Sequence, residues 1–143
     1  MKKFALIALS LALAGVALAA DKKIIYPPEF RANMPFSPGV LIDGTLYCAG
    51  QTGSDFKSNE YPESFEDEVQ QTFKRIGLIL KAGGMDYSDA VDVKVYLTDI
   101  GTFQQMNSIY TQYFKTDRPA RTTVGVASLV GKARIEITVV ARK

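Results

Sequence analysis

Two charged side chains near the end of the chain, Arg121 and Glu136, lie in segments whose alternation predicts β-strands. Because side chains alternate between the two faces of a strand, Arg121 and Thr123 are expected opposite Val124, and Glu136 opposite its flanking isoleucines. We therefore expect Arg121, Thr123 and Glu136 to project from one face of a sheet. A guanidinium can hold a carboxylate through two hydrogen bonds, and a nearby glutamate can hold a water or accept a proton.

Simpler structural interpretations exist for each of these candidates. Spacing alone favours an Arg121–Glu136 ion pair at a subunit interface, because structural ion pairs are common. Gly50, in the run Gly50-Gln51-Thr52-Gly53, could offer a backbone N–H to a ligand, or simply end a hairpin. Asn107 is a ligand candidate or a helix-surface residue, and Phe36 is typical of core or interface packing.

Residue usage excludes several kinds of site. The chain has no histidine and one cysteine, Cys48. It therefore has no Ser-His-Asp triad, no Cys-His dyad and no zinc site built from histidines or cysteines. No acidic loop has the spacing of a calcium site, so no metal is predicted. Cys48 lies in an apolar segment, which favours a buried, unreactive thiol.

The first residues have the pattern of a secretory signal peptide. Lys2 and Lys3 precede an apolar run from 4 to 16, and Ala17-Leu18-Ala19 provides small residues for cleavage after Ala19. The run is short for a membrane span, and Asp21-Lys22-Lys23 ends it. We expect segment 1–19 to be removed, leaving a single domain, 20–143, in the periplasm without a stable membrane anchor.

The balance of positive and negative charges indicates whether the protein is suited to bind nucleic acid. Without the lysines of the signal, 15 basic and 15 acidic residues remain. Proteins that bind nucleic acid need a positive surface to neutralise phosphates, and no basic cluster of that kind is present. A nucleic-acid partner is not expected.

The patterns predict two helices among several strands. Residues 21–33 are expected to be irregular and 50–61 to form a loop. Asp43-Gly44 predicts a hairpin turn, and Ser64 is expected to cap a helix that ends at Gly83-Gly84. Val91, Val93, Val95 and Leu97 are expected on one face of a strand, and Thr102-x-x-Gln105 predicts a capping box for the second helix. Further strands follow Pro119 and Ala133.

Two helices are too few to cover both faces of such a sheet, so both are expected on one face of an α+β domain. The other face would then meet water or another subunit, since symmetric assembly commonly covers an open sheet face. The residues assigned to that face are Tyr96, Arg121, Thr123, Glu136, Thr138 and Val140.

Several segments, taken together and in order, resemble the reactive-intermediate (enamine/imine) deaminase family, also called endoribonuclease L-PSP-like. The segments are 33–40 (NMPFSPGV), 46–53 (LYCAGQTG), 103–114 (FQQMNSIYTQYF), 118–126 (RPARTTVGV) and 133–141 (ARIEITVVA). The resemblance spans about Met34 to Arg142. It implies a chorismate-mutase-like mixed sheet, a homotrimer with ligand clefts between subunits, and no cofactor.

The resemblance also implies a reaction and a site. Deaminating members hydrolyse enamines and imines to keto acids and ammonia. The carboxylate-binding arginine of the family falls on Arg121, its water-orienting glutamate on Glu136, its cleft asparagine on Asn107 and its backbone contact on Gly50.

The chain departs from the best-known pattern at three cleft positions. Phe36 replaces a tyrosine, Ala49 a serine and Thr123 a cysteine, which implies a more apolar cleft. A non-catalytic periplasmic trimer that binds small carboxylates or keto acids in the same cleft is the main alternative.

Overall fold

The computed structural model describes residues 21–143, so the predicted signal segment 1–19 lies outside the described residues. Six strands and two α-helices follow one another along the chain. They are β1 (Lys23–Ile25), β2 (Gly39–Ile42), β3 (Thr45–Thr52), α1 (Phe65–Ala82), β4 (Ala90–Leu97), α2 (Phe103–Tyr113), β5 (Ala120–Gly125) and β6 (Ile135–Arg142).

The strands form one mixed sheet in the order β1-β2-β3-β6-β4-β5. Only β4 and β5 run parallel, with α2 as the crossover between them, and all other pairs are antiparallel. The last strand, β6, lies between β3 and β4, so the sheet is complete only once β6 has paired with both of them. β1 and β5 are its edges.

Both helices pack on the same face of the sheet, which confirms the predicted α+β architecture. The apolar stripe of α1 is fully buried at Val69, Phe73 and Ile76. It packs over β3 and β6, and its core cluster includes Ile137 of β6 and Val93 of β4, which have no exposed surface. Burial of these side chains is the main source of stability.

The two clearest local signals are confirmed. Asp43 and Gly44 both have positive φ, 48° and 71°, as a two-residue hairpin turn between β2 and β3 requires. The Ser64 hydroxyl accepts a hydrogen bond from the Asp67 N–H at 3.0 Å, which caps α1.

Other local expectations were wrong. Segment 21–33 contains β1, which pairs with β2, and β3 continues to Thr52 through a bulge between Cys48 and Gln51. Thr102 makes no side-chain cap; its hydroxyl donates to the Asp99 carbonyl at 2.7 Å. At a bulge the alternation of inward and outward side chains is interrupted, so a strand that contains one is not recognised from its two-residue period.

A second bulge changes the inner face of β4. The register with β6 shifts between Ala90 and Asp92, so Ala90 is buried and Val91 is 47% exposed. Val91 therefore does not share the face of Val93 and Val95, contrary to the prediction.

An ion pair between the buried Glu68 and the partly exposed Arg134 joins the loop before β6 to the start of α1. Glu68 is fully buried and accepts from the Arg134 backbone N–H at 2.7 Å and from its Nε at 2.6 Å. The Arg134 guanidinium also donates to the carbonyls of Pro62, Glu63 and Ser64. Because every charged atom of Glu68 has a partner, its burial is tolerated.

Within residues 21–143, no helix has the length and apolar character needed to cross a bilayer.

Candidate functional site

Arg121 lies on the helix-covered face of the sheet, not on the open face. In the parallel pairing of β4 and β5, Arg121 is level with the buried Val93, and Thr123 with the buried Val95. Val124 is instead level with Tyr96 and is 40% exposed on the open face. The expectation for Arg121 and Thr123 was wrong because β5 is an edge strand, where a valine can face outward and an arginine can be covered by a helix.

Three side chains of α2 contact the Arg121 guanidinium. Its Nη1 donates to the Asn107 Oδ1 at 2.8 Å. Its Cζ lies 4.4 Å from the ring centroid of Tyr110 and 5.5 Å from that of Phe103, within the range of cation–π attraction. In the described part of the chain no carboxylate forms an ion pair with Arg121. The guanidinium is thus oriented and keeps N–H groups for an external anion.

A cavity of about 300 Å³ opens beside this guanidinium. Asn107, Tyr110 and Arg121 line it together with Thr111, Arg118 and Pro119. We call Arg121, Asn107, Tyr110 and Phe103 the arginine half-site. Burial raises the pKa of Tyr110, and the positive charges of Arg121 and Arg118 oppose that rise, so its hydroxyl is neutral near pH 7.

Thr123 is close to this half-site in register but does not line its cavity. Its hydroxyl oxygen and that of Tyr110 are both buried and have no hydrogen-bond partner among residues 21–143. Such groups are costly in a folded protein unless a water or ligand completes them.

Glu136 projects from the opposite face. It is level with Tyr96 on β4 and with Thr52 on β3, whereas its neighbours Ile135 and Ile137 face the helices. An intrachain Arg121–Glu136 ion pair is therefore not formed. In the structure of residues 21–143, the Glu136 carboxylate has no hydrogen-bonded side chain and no ion-pair partner, so its oxygens can bind water.

Gly50 is the residue that lets Glu136 take this position. A Cβ at position 50 would overlap the Glu136 Oε1, so any larger residue would displace the carboxylate. The bulge in β3 also leaves Ala49 and Gly50 without a register partner on β6. Strand β3 thus presents irregular backbone directly under the Glu136 side chain.

A second cavity, of about 340 Å³, surrounds this carboxylate. Four predicted residues line it: Phe36, Ala49, Gly50 and Glu136. We call these four the glutamate half-site. The remaining lining residues are Phe30, Met34, Gln51, Thr52, Arg75 and Val130. Phe36 is 52% exposed and Val130 is 80% exposed, so two large apolar side chains face outward at this cavity.

The chain therefore carries two half-sites that it does not bring together. The side chains of Arg121 and Glu136 leave opposite faces of the sheet, and their two cavities have no lining residue in common.

Cys48 is buried, as predicted. Burial raises the pKa of its thiol from 9.0 to about 12, so the thiolate is not formed near neutral pH. No group of three or more metal-ligating side chains occurs among residues 21–143.

Sequence reasoning did not single out Tyr110 and Phe103 as supports of Arg121, or Arg75 as a cavity residue. The spacing of Phe103, Asn107 and Tyr110 was a usable signal, because positions i, i+4 and i+7 share one face of a helix. Arg75 had no such signal, since it resembles any charged residue of a helix surface.

Known proteins resemble the chain over nearly all of its described length. The family Endoribonuclease L-PSP matches residues 27–143. Human 2-iminobutanoate/2-iminopropanoate deaminase is 44% identical over 108 residues, 75% of this chain and 79% of the human protein. The protein of the same name from Bos taurus is 41% identical over 122 residues, 84% of this chain and 89% of the bovine protein.

The fold is also found among solved structures. YyfA from Yersinia pestis, described as a member of the conserved Rid protein family with unknown function, superposes with a TM-score of 0.81 at 31% identity. The superposition covers 86% of this chain and all of the Yersinia chain, 100%.

Proposed function

This chain belongs to the endoribonuclease L-PSP family and is a deaminase of the Rid type, and we propose that it hydrolyses small imines and enamines that carry a carboxylate. The products are a keto acid and ammonia.

The observation that carries the proposal is the state of Arg121. Its guanidinium is oriented by Asn107 and Tyr110 but has no carboxylate partner in the described chain. A cation prepared in this way matches the carboxylate that an imino acid and its keto acid share. This one carboxylate is sufficient for either the substrate or the product to bind Arg121.

We further propose that the functional unit is a homotrimer with its clefts between subunits. One chain separates the arginine half-site from the glutamate half-site, so a complete cleft needs the arginine half-site of one copy and the glutamate half-site of another. The open face of the sheet offers a surface for such contacts, since Tyr47 is 51% exposed and Val124 40% exposed there. A closed ring of three uses the same contact at each interface and leaves none unmatched.

In this cleft the chemistry requires only positioning and proton transfer. Arg121 binds the substrate carboxylate, and Glu136 orients a water molecule. The water oxygen bonds to the imine carbon as one water proton passes to Glu136, and the π electrons of the C=N bond move to nitrogen, which then receives that proton from Glu136. Glu136 next takes the hydroxyl proton of the resulting carbinolamine and passes it to the amine nitrogen; the C–N bond breaks, ammonia leaves and the carbonyl of the keto acid forms. Imines already hydrolyse in water, so a modest effect is enough; ten-fold corresponds to about 1.4 kcal/mol.

The test is ammonia release from 2-iminopropionate that an amino-acid oxidase generates in the assay. We expect the protein to accelerate release over buffer, and Arg121→Ala to lower kcat/KM by roughly 10- to 100-fold, as loss of a charge-assisted contact implies. Arg142→Ala is the matched control, because Arg142 donates to the Thr45 hydroxyl away from both half-sites.

The outcomes separate deamination from simple binding. No acceleration by the unaltered protein would exclude the deaminase proposal. Binding of 2-ketobutyrate that requires Arg121, without ammonia release, would instead support a non-catalytic protein that holds small carboxylates in the same cleft.

We also propose export to the periplasm, on the basis of the pattern in residues 1–19. Recovery of the intact chain from the cytoplasmic fraction alone would contradict this location.

A further inference from the structure

Arg75 is a positively charged residue that lines the cavity around Glu136. The reaction proposed above does not use it. It lies on α1 and lines the cavity that contains Glu136 and Gly50. Its Nε donates to the Gln51 Oε1 at 3.1 Å, and its Nη1 to the Ser54 carbonyl at 3.0 Å.

Two aromatic rings further restrict the guanidinium. The Arg75 Cζ lies 4.3 Å from the ring centroid of Phe56 and 5.1 Å from that of Phe30. The two rings themselves pack edge to face, with centroids 5.1 Å apart. Contacts of this kind hold the plane of a guanidinium and remove part of its hydration.

The charge of Arg75 is not balanced by a direct partner. No aspartate or glutamate of residues 21–143 forms an ion pair with it. Burial lowers its pKa, yet an arginine remains charged at any pH at which the protein functions. Only two of its hydrogen bonds are made within the described chain, although a guanidinium has five N–H groups.

We propose that Arg75 anchors a second acidic group of the substrate, so that the preferred substrates are imines of dicarboxylic amino acids. This inference rests on the proposed function, since it concerns the same cleft. Arg121 of one subunit holds the carboxylate next to the imine carbon. Arg75 of the other subunit holds the carboxylate of the substrate side chain, and Glu136 acts between them.

The charges of the assembled cleft favour such a ligand. Arg121, Arg118 and Arg75 contribute three positive charges against the single negative charge of Glu136. A ligand with two carboxylates gives Arg121 and Arg75 a counter-ion each, whereas a monocarboxylate bound at Arg121 leaves the half-buried Arg75 without one. The cavity of about 340 Å³ is at the small end of ligand sites, which suits a compact dicarboxylate.

A purely structural role is the competing explanation, since Arg75 also joins α1 to the end of β3 through Gln51 and Ser54. That role would affect stability and all ligands alike. Only an anchoring role changes the ratio between a dicarboxylate and a monocarboxylate.

The experiment is therefore a comparison of 2-oxoglutarate with 2-ketobutyrate by calorimetry, on the full-length oligomer. We expect 2-oxoglutarate to bind about ten-fold more tightly, and Arg75→Met to abolish that preference while 2-ketobutyrate binding persists. Arg75→Lys keeps the charge and should retain part of the preference, which guards against a variant that fails to fold. Lys74→Met is the matched control, because Lys74 is an exposed neighbour outside this cavity.

Each outcome decides the question. An equal affinity for the two ligands in the unaltered protein, or a preference that Arg75→Met leaves intact, would overturn the proposal. Loss of 2-ketobutyrate binding in Arg121→Ala would still uphold the proposed cleft, so failure of the Arg75 inference is distinguishable from failure of the proposed function.

Discussion

Asn107 has a role at the residue scale that differs from direct substrate contact. Its Oδ1 accepts from Arg121 at 2.8 Å, while the centroid of the Tyr110 ring lies 4.4 Å from the guanidinium carbon. An amide can orient a guanidinium without neutralising it, whereas a carboxylate at the same place would occupy the anion site. The asparagine thus keeps Arg121 both ordered and available.

This role leads to a prediction for two substitutions. Asn107→Ala should weaken 2-ketobutyrate binding about ten-fold, because the guanidinium loses its orienting bond. Asn107→Asp should weaken it further, since the new carboxylate pairs with Arg121 and competes with the ligand. Calorimetric titration measures both effects.

Gln112→Ala is the appropriate comparison, because Gln112 is an exposed residue of the same helix whose amide donates to the Ser108 carbonyl. Equal affinities of Asn107→Ala and the unaltered protein would show that Asn107 does not position Arg121.

At the scale of the element, α1 is the best example of a helix whose ends are encoded locally. Ser64 caps its first turn, Glu66, Asp67 and Glu68 place negative charge at the positive end of the dipole, and the chain turns away at Gly83-Gly84. Both half-sites depend on α1, because it buries the core on which the sheet and α2 rest.

The cap can be tested by stability. Ser64→Ala should lower the free energy of unfolding by about 1 kcal/mol, because the Asp67 N–H loses its acceptor. Denaturant titration measures the change. The control is Ser108→Ala in α2, where the hydroxyl only donates to the Gln105 carbonyl and alanine is the better helix former. An equal loss in both variants would refute a specific capping effect.

Edge strand β5 explains why element patterns misplaced Arg121. Alternation shows that Arg121 and Val124 lie on opposite faces, but it does not say which face the helices cover. Hydrophobicity suggested that the valine faces inward, yet Val124 is half-exposed and Arg121 lies under aromatic side chains of α2. On an edge strand the apolar face can be reserved for another chain.

At the scale of the whole molecule, the separation of the two half-sites makes assembly part of the proposed activity. In the proposed cleft Arg121 and Glu136 come from different copies, so a variant that lacks one of them should be complemented by a variant that lacks the other.

Mixing the two variants tests this directly. Arg121→Ala and Glu136→Gln should each retain no more than about a tenth of the unaltered activity as pure proteins. After unfolding and joint refolding at equal amounts, random trimers should recover roughly a quarter of the unaltered activity, because one interface in four has both functional residues.

The readouts are ammonia release and native mass spectrometry of the mixed trimers. Mixed trimers without recovered activity would contradict a cleft shared in this way. An oligomer other than a trimer would correct the assembly itself.

The sequence by itself determined the elements whose causes are local. Turn residues with positive φ, the Ser64 cap and the apolar stripe of α1 depend on neighbours a few positions away, and each was predicted correctly. The identity of the candidate carboxylate anchor, Arg121, also came from the sequence, through its motif rather than its spacing.

Only the tertiary structure decided which groups meet. The bulges at Cys48–Gln51 and Ala90–Asp92, the insertion of β6 between β3 and β4, and the placement of Glu68 against Arg134 all depend on contacts between distant segments. The same is true of the faces of Arg121 and Glu136. Alternation divides the residues of a strand into two faces but does not say which face the helices cover. For Arg121 that choice was made by the packing of α2 over the edge strand.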